Sequence, residues 1–87
     1  MKLHTQEELS AMSPAAFGTI ERLCRRVLSR RGIVMSRSRA RDRASITWGK
    51  YLLSNATTGE VVGGGYMPLD AVERWIDADD KRREASR

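Results

Sequence analysis

The sequence predicts an α+β domain: a three-stranded antiparallel sheet flanked by two helices in the order α-β-β-β-α, with a short extra helix at the N-terminal side. Three observations lead there. A helical apolar stripe opens at Ser13-Pro14 and closes at Gly32, three β-prone runs follow with turn residues between them, and a second helical stripe begins after Asp70. With 87 residues the chain suits one domain, and a chain of this size buries only about 60 to 65 per cent of its unfolded surface, which leaves a small core. The ordered part is expected over residues 13–78, with residues 79–87 a polar tail that frays because it carries no apolar stripe.

Thr5-Gln6-Glu7-Glu8 has capping-box form, with a hydroxyl able to meet the Glu8 amide and a Glu8 carboxylate able to reach back, so a short helical turn to Met12 is expected. Ser13 caps free amides and Pro14 loses no hydrogen bond at a first helical position. The long helix so begun covers residues 14–31 and stops at Gly32. At 100° per residue, Ala16, Phe17, Ile20, Leu23, Cys24, Val27 and Leu28 fall in one arc of about 140°, the core-facing stripe. Arg22, Arg25, Arg26 and Arg30 occupy the opposite side.

Ile33-Val34-Met35 reads as the first strand. Residues 46–53 read as the central strand, with Ile46, Trp48, Lys50 and Leu52 on one side and Thr47, Gly49, Tyr51 and Leu53 on the other, which sends Trp48 and Tyr51 to opposite faces. Asn55 and Gly59 bound a hairpin loop. The third strand begins at Glu60-Val61-Val62, is bulged or bent by Gly63-Gly64-Gly65, and ends at Pro68. Asp70 and Glu73 form a second capping box, from which a helix starting at Ala71 sets Ala71, Val72, Trp75 and Ile76 against the sheet.

Charge is distributed unevenly along this framework. The net charge is +5, yet residues 22–50 carry ten basic side chains against Asp42 alone, a net of +9, whereas residues 51–80 carry Arg74 against six acids, a net of −5. Within residues 36–45, arginine stands at every second position: Arg37, Arg39, Arg41 and Arg43. On an extended backbone these four share a side and could follow a line of phosphates; on a loop they are solvated charge. The candidate nucleic-acid-binding set is therefore Arg37, Arg39, Arg41, Arg43 and Lys50, supported by Arg22, Arg25, Arg26 and Arg30. The planar guanidinium fork suits this role because it can hold a phosphate with two bonds.

Several classes are disfavoured. Cys24 is the single cysteine and forms no internal disulfide, no basic-apolar-small leader opens the chain, and its apolar runs are far shorter than the roughly 20 residues that span a bilayer. A cytoplasmic, membrane-free setting is expected. His4 and Cys24 are too few for a metal site. His4 reads as an exposed side chain, and Cys24 as a small buried thiol on the helical stripe. The triple glycine lacks the Lys-Ser/Thr of a phosphate-binding loop, and no nucleophile elbow is present. The expectation is a protein that is not an enzyme and has no cofactor.

The α-β-β-β-α order resembles the double-stranded RNA-binding domain, but that family wants Lys where this chain has Asp70 and Glu73 at its last helix, which argues against RNA bound by that route. Arg37 to Arg43, Gly49-Lys50-Tyr51-Leu52-Leu53, Thr58-Gly59-Glu60-Val61-Val62-Gly63-Gly64 and Leu69-Asp70-Ala71-Val72-Glu73-Arg74-Trp75-Ile76 together resemble small uncharacterised proteins of actinobacteria and their phages. That resemblance implies a bacterial cell or a phage-infected host as the setting. The sheet followed by a helix also looks like the arm-type DNA-binding domain at the start of phage integrases, which reads DNA with its sheet. A non-catalytic nucleic-acid-binding protein, with DNA favoured over RNA, is the leading expectation. The alternative is a phage-type adaptor or modulator that binds a host protein, motivated by the opposed polarity of the two halves and the small core; a homodimer is one form of it.

Overall fold

A computed structural model of the chain describes residues 3–42 and 44–85. The order is α1 (Gln6–Ala11), α2 (Pro14–Arg30), β1 (Ile33–Arg37), β2 (Tyr51–Asn55), β3 (Val61–Met67) and α3 (Leu69–Ala85). The three strands form one antiparallel sheet in the order β1-β2-β3. This is the α+β arrangement expected, short N-terminal helix included.

Local chemistry sets most of the boundaries. The Thr5 hydroxyl accepts from the Glu8 amide at 3.1 Å and Glu8 Oε1 accepts from the Thr5 amide at 3.0 Å, which closes the capping box of α1. Ser13 Oγ accepts from the Ala16 amide at 3.2 Å with Pro14 at the first helical position. The chain leaves α2 through Arg31 and turns at Gly32, whose φ of 74° lies in the left-handed region that favours glycine. In the β2–β3 hairpin, Asn55 Oδ1 accepts from the amides of Thr57 and Thr58 at 2.8 and 3.1 Å, and Gly59 takes a φ of 75°. Between Leu53↔Val62 and Tyr51↔Met67 the register shifts, and the surplus residues of β3 include the three glycines, all at positive φ.

The core lies between the helices and one face of the sheet. Met35 from β1, Tyr51 and Leu53 from β2 and Met67 from β3 meet Cys24 and Leu28 of α2 and Leu69, Val72 and Ile76 of α3, with Leu9 of α1 closing one side. Trp75 packs against this cluster and carries the Arg82 guanidinium 5.8 Å from its ring centroid. The α2 stripe is narrower than its helical projection suggests, because Leu23 stays 47 % exposed. On the other face of the sheet Val34, Ser54 and Val61 stand in register, and Val34 and Val61 are exposed.

Four sequence expectations require correction. Residues 46–50 are not strand: Asp42 Oδ1 accepts from the Ala44 amide, and three successive turns follow, with bonds Ser45 N–H to Asp42 O, Trp48 N–H to Ser45 O and Lys50 N–H to Thr47 O at 3.0 to 3.2 Å. Short polar side chains and Gly49 at φ 69° favour these turns over a ladder, so β2 starts only at Tyr51 and Ile46 is 84 % exposed. Trp48 accordingly sits in the loop and not on a strand face. The last helix begins at Leu69, with the Val72 amide bonded to Pro68 O at 3.1 Å, so Asp70 lies inside the first turn and is not the cap. Glu73 is turned inward to 1 % exposure and is satisfied by His4: the His4 amide donates to Oε1 at 3.1 Å, and Nδ1 lies 2.7 Å from Oε2. His4 is therefore largely covered rather than exposed, and Arg74 Nη1 donates to its carbonyl at 2.9 Å. These bonds clasp the segment before α1 onto α3. Beyond Ile76, α3 continues through the polar residues 79–85.

Candidate nucleic-acid interface

The ion pairs divide the charged residues into two groups. Asp70 lies 3.8 Å from Arg74, Asp77 3.2 Å from Lys81, and Asp79 2.7 to 3.2 Å from Arg31, Arg82 and Arg83. Arg31 also bonds Asp80. Burial opposes charge on Arg31, and the hydrogen bonds to Asp79 and Asp80 outweigh it, raising the guanidinium above its ordinary pKa. Burial likewise works against the Asp79 carboxylate, but hydrogen bonds from Arg83 and Arg31 hold it below the ordinary aspartate range. The acidic half of the chain is thus largely neutralised from within.

The candidate cations are in the opposite situation. Among the described residues, none of the ion pairs takes in Arg22, Arg26, Arg30, Arg37, Arg39, Arg41 or Lys50. Arg22, Arg26 and Arg30 are exposed and lie four residues apart on α2, which makes a row about 12 Å long at 1.5 Å per residue. Arg25, beside the row, lies 3.6 Å from Glu21. Arg37 ends β1 on the helix-facing side, in register with Tyr51.

Arg39 and Arg41 are exposed in the loop after β1. The alternating arginines therefore do not form one strand face; only Arg37 lies in a strand, and Arg43 lies outside the described residues. The loop is pinned at its neck. The Ser38 amide donates to Lys50 O at 2.9 Å, Ser38 Oγ donates to Thr47 Oγ1 at 2.9 Å, and Ser45 Oγ lies 3.2 Å from the same oxygen.

Arg25 of α2 and Arg37 of β1 both act on Tyr51. Its hydroxyl donates to Glu21 Oε2 at 2.6 Å. Burial, then this bond and the Glu21 charge, push the phenol far up, while Arg37 and Arg25 pull it back down. Both therefore lie within electrostatic reach of one buried phenol. Arg30 lies five residues, about 7.5 Å, farther along the helix from Arg25. Beneath this junction runs a cleft of about 590 Å³ between α1, the first half of α2 and the loop, lined by Met12, Phe17, Gly18, Glu21, Arg37 and Trp48 among others.

The cleft was not read from the sequence, although two signals for it are visible there: Glu21 is the only acid in α2, and Gly18 is a mid-helix glycine with no capping role. Cys24 is buried, and burial followed by the charges of Glu73 and Glu21 pushes its thiol up to about 11, the opposite of an activated nucleophile. Among the described residues no cluster of His, Cys, Asp and Glu could hold a metal ion, and no helix is long and apolar enough to cross a membrane. The fold and charge layout define a small two-layer α+β domain in which, among the described residues, Arg22, Arg26, Arg30, Arg37, Arg39, Arg41 and Lys50 stand outside the ion pairs. Set against family models, curated proteins and solved structures, the chain matches none.

Proposed function

We propose that the protein is a non-catalytic nucleic-acid-binding module, with DNA favoured over RNA, which grips phosphates through Arg22, Arg26 and Arg30 of α2 and through Arg37, Arg39, Arg41 and Lys50 at and beyond the end of β1. The observation that carries this reading is the division of ion pairs. Asp70, Asp77, Asp79 and Asp80 of α3 are held by internal cations, whereas among the described residues Arg22, Arg26, Arg30, Arg37, Arg39, Arg41 and Lys50 are in no ion pair. A surface of uncompensated guanidinium groups attracts a polyanion and releases its counterions.

Fluorescence polarisation with labelled single- and double-stranded DNA and RNA tests the reading. Replacing Arg22, Arg26 and Arg30 together by Ala is expected to weaken binding by at least about tenfold at low salt. Replacing Arg82 and Arg83, which are paired with Asp79, is expected to leave it nearly unchanged. Equal losses from the two variants would sink the proposal.

A second reading, an adaptor for a protein partner or a homodimer, has support from the sheet face away from the helices, where Val34, Val61 and Tyr66 are exposed without a charged residue in register. Affinity capture after nuclease treatment separates the two, since only an adaptor retains a stoichiometric protein.

A further inference from the structure

We infer that the cleft between α1, α2 and the loop is a pocket for one unstacked nucleobase of a single strand, and that it favours guanine. This rests on the nucleic-acid reading and gives it a specificity. Four observations carry it. The volume, about 590 Å³, falls within the range of about 300 to 1,000 Å³ usual for small-molecule sites. Its walls include the aromatic rings of Phe17 and Trp48 with Met12 and Pro14, the kind of surface on which a base stacks.

Its polar groups are asymmetric. Glu21 Oε2 is occupied by the Tyr51 hydroxyl at 2.6 Å, while among the described residues Oε1 has Arg25 alone, at 3.6 Å, beyond a good hydrogen bond. A carboxylate accepts and cannot donate. It therefore selects a base edge that presents hydrogens, and guanine presents two adjacent ones, N1–H and the N2 amino group. Thymine sets one N–H between two carbonyl oxygens that a carboxylate repels. Arg37 lies in the same wall and meets the phosphate of the bound nucleotide or its neighbour.

Gly18 supplies the fourth observation. Glycine inside a helix costs about 1 kcal/mol relative to alanine, and here no packing requires it, since an added Cβ would meet nothing within 4 Å. It nevertheless lines the cleft, where a methyl would project into the space a base needs. The cleft explains a residue that the fold alone does not.

The test compares a short oligothymidine with the same oligomer carrying one central guanine, by polarisation and by quenching of Trp48 fluorescence in a Trp75→Phe background. The expected result is about tenfold tighter binding of the guanine oligomer. In Glu21→Gln the amide oxygen takes the Tyr51 hydroxyl and the NH2 group faces the cleft, so the preference is lost while oligothymidine binding is kept. Gly18→Ala is expected to unfold at a higher temperature than the parent yet lose the guanine preference, a combination that misfolding cannot produce. Equal binding of both oligomers, or a guanine preference that survives Glu21→Gln and Gly18→Ala, overturns the pocket and leaves the phosphate-binding proposal standing. Failure of both oligomers to bind at low salt overturns both.

Discussion

Arg30 and Arg31 are neighbours in sequence with opposite roles, so replacing each by Ala isolates the difference between a binding cation and a structural one. Arg31 is only 17 % exposed in its side chain and bonds Asp79, 14 % exposed, at 2.7 Å, and Asp80, 43 % exposed. Its removal does not strand Asp79, which keeps Arg83 at 2.8 Å and Arg82 at 3.2 Å, and Asp80 regains water. The loss is therefore smaller than the roughly 3 to 5 kcal/mol of a fully buried pair broken on one side. One charge-assisted bond worth about 1.5 to 3 kcal/mol and a screened one worth under about 1 kcal/mol give about 2 to 3 kcal/mol. At about 4 to 8 °C per kcal/mol for a domain of this size, Arg31→Ala melts roughly 10 to 20 °C lower.

Arg30 is exposed with no ion pair described. Its replacement loses a favourable interaction with the helix dipole and gains helix propensity, leaving stability within about 0.5 kcal/mol. Both variants lower the net charge of +5 by one, so long-range attraction of a polyanion is matched. Thermal unfolding by circular dichroism and polarisation at a temperature where both are folded give the outcome. Arg31→Ala is expected to lose stability and keep affinity, and Arg30→Ala the reverse. If Arg31→Ala weakens binding as much as Arg30→Ala, the division of cations into paired and binding groups is wrong.

Two further predictions concern the frame that holds this surface. Gly63 and Gly64 both have positive φ, of 76° and 85°, but a Cβ at Gly63 would stand 2.5 Å from Met67 Cε and 3.2 Å from Trp75 Cδ1, whereas at Gly64 it would meet nothing within 4 Å. Each Ala variant incurs about 1 to 2 kcal/mol of backbone strain, and Gly63→Ala about 1 to 2 kcal/mol more from crowding; urea unfolding with equal losses for both would contradict the packing of β3 on α3. Asp79 has its folded-state pKa below its unfolded one, so its contribution is complete above the ordinary aspartate value of about 3.9 and is lost as pH falls through the lower folded value. Asp79→Asn is expected to be less stable than the parent near neutrality, with the gap closing below about pH 4; a gap that stays constant to pH 2 would refute the assignment.

Features set by a few adjacent residues were legible in the sequence. Thr5 with Glu8, Ser13-Pro14, Gly32 and the turn from Asn55 to Gly59 all act on the backbone within four residues, by a side-chain bond or by the φ they allow, and each appears where expected. The triple glycine marks the β-bulge for the same reason. What failed involved distant partners or competing local signals. Glu73 has the spacing of a capping box with Asp70, but its partner, His4, lies 69 residues away, and no local pattern reveals an inward carboxylate.

Residues 46–53 alternate well enough for a strand, yet Asp42, Ser45 and Thr47 supply bonds that hold residues 44–50 in turns. The arginine run was visible as charge. Whether it was a strand face depended on where β1 ends, at Arg37, and which cations were already paired depended on α3. The cleft needed three elements brought together, so only its isolated members, Gly18 and Glu21, stood out.

The salt dependence of binding tests the central claim most directly. Seven cations without described ion pairs (Arg22, Arg26, Arg30, Arg37, Arg39, Arg41 and Lys50), if all engage phosphates, give a slope of log K against log salt of about −5 on a single strand at about −0.7 per contact. Replacing Arg22, Arg26 and Arg30 by Ala is expected to bring it to about −3, and replacing Arg82 and Arg83 to leave it unchanged. A parent slope shallower than about −1, or the same slope after loss of the α2 row, contradicts phosphate binding by this surface.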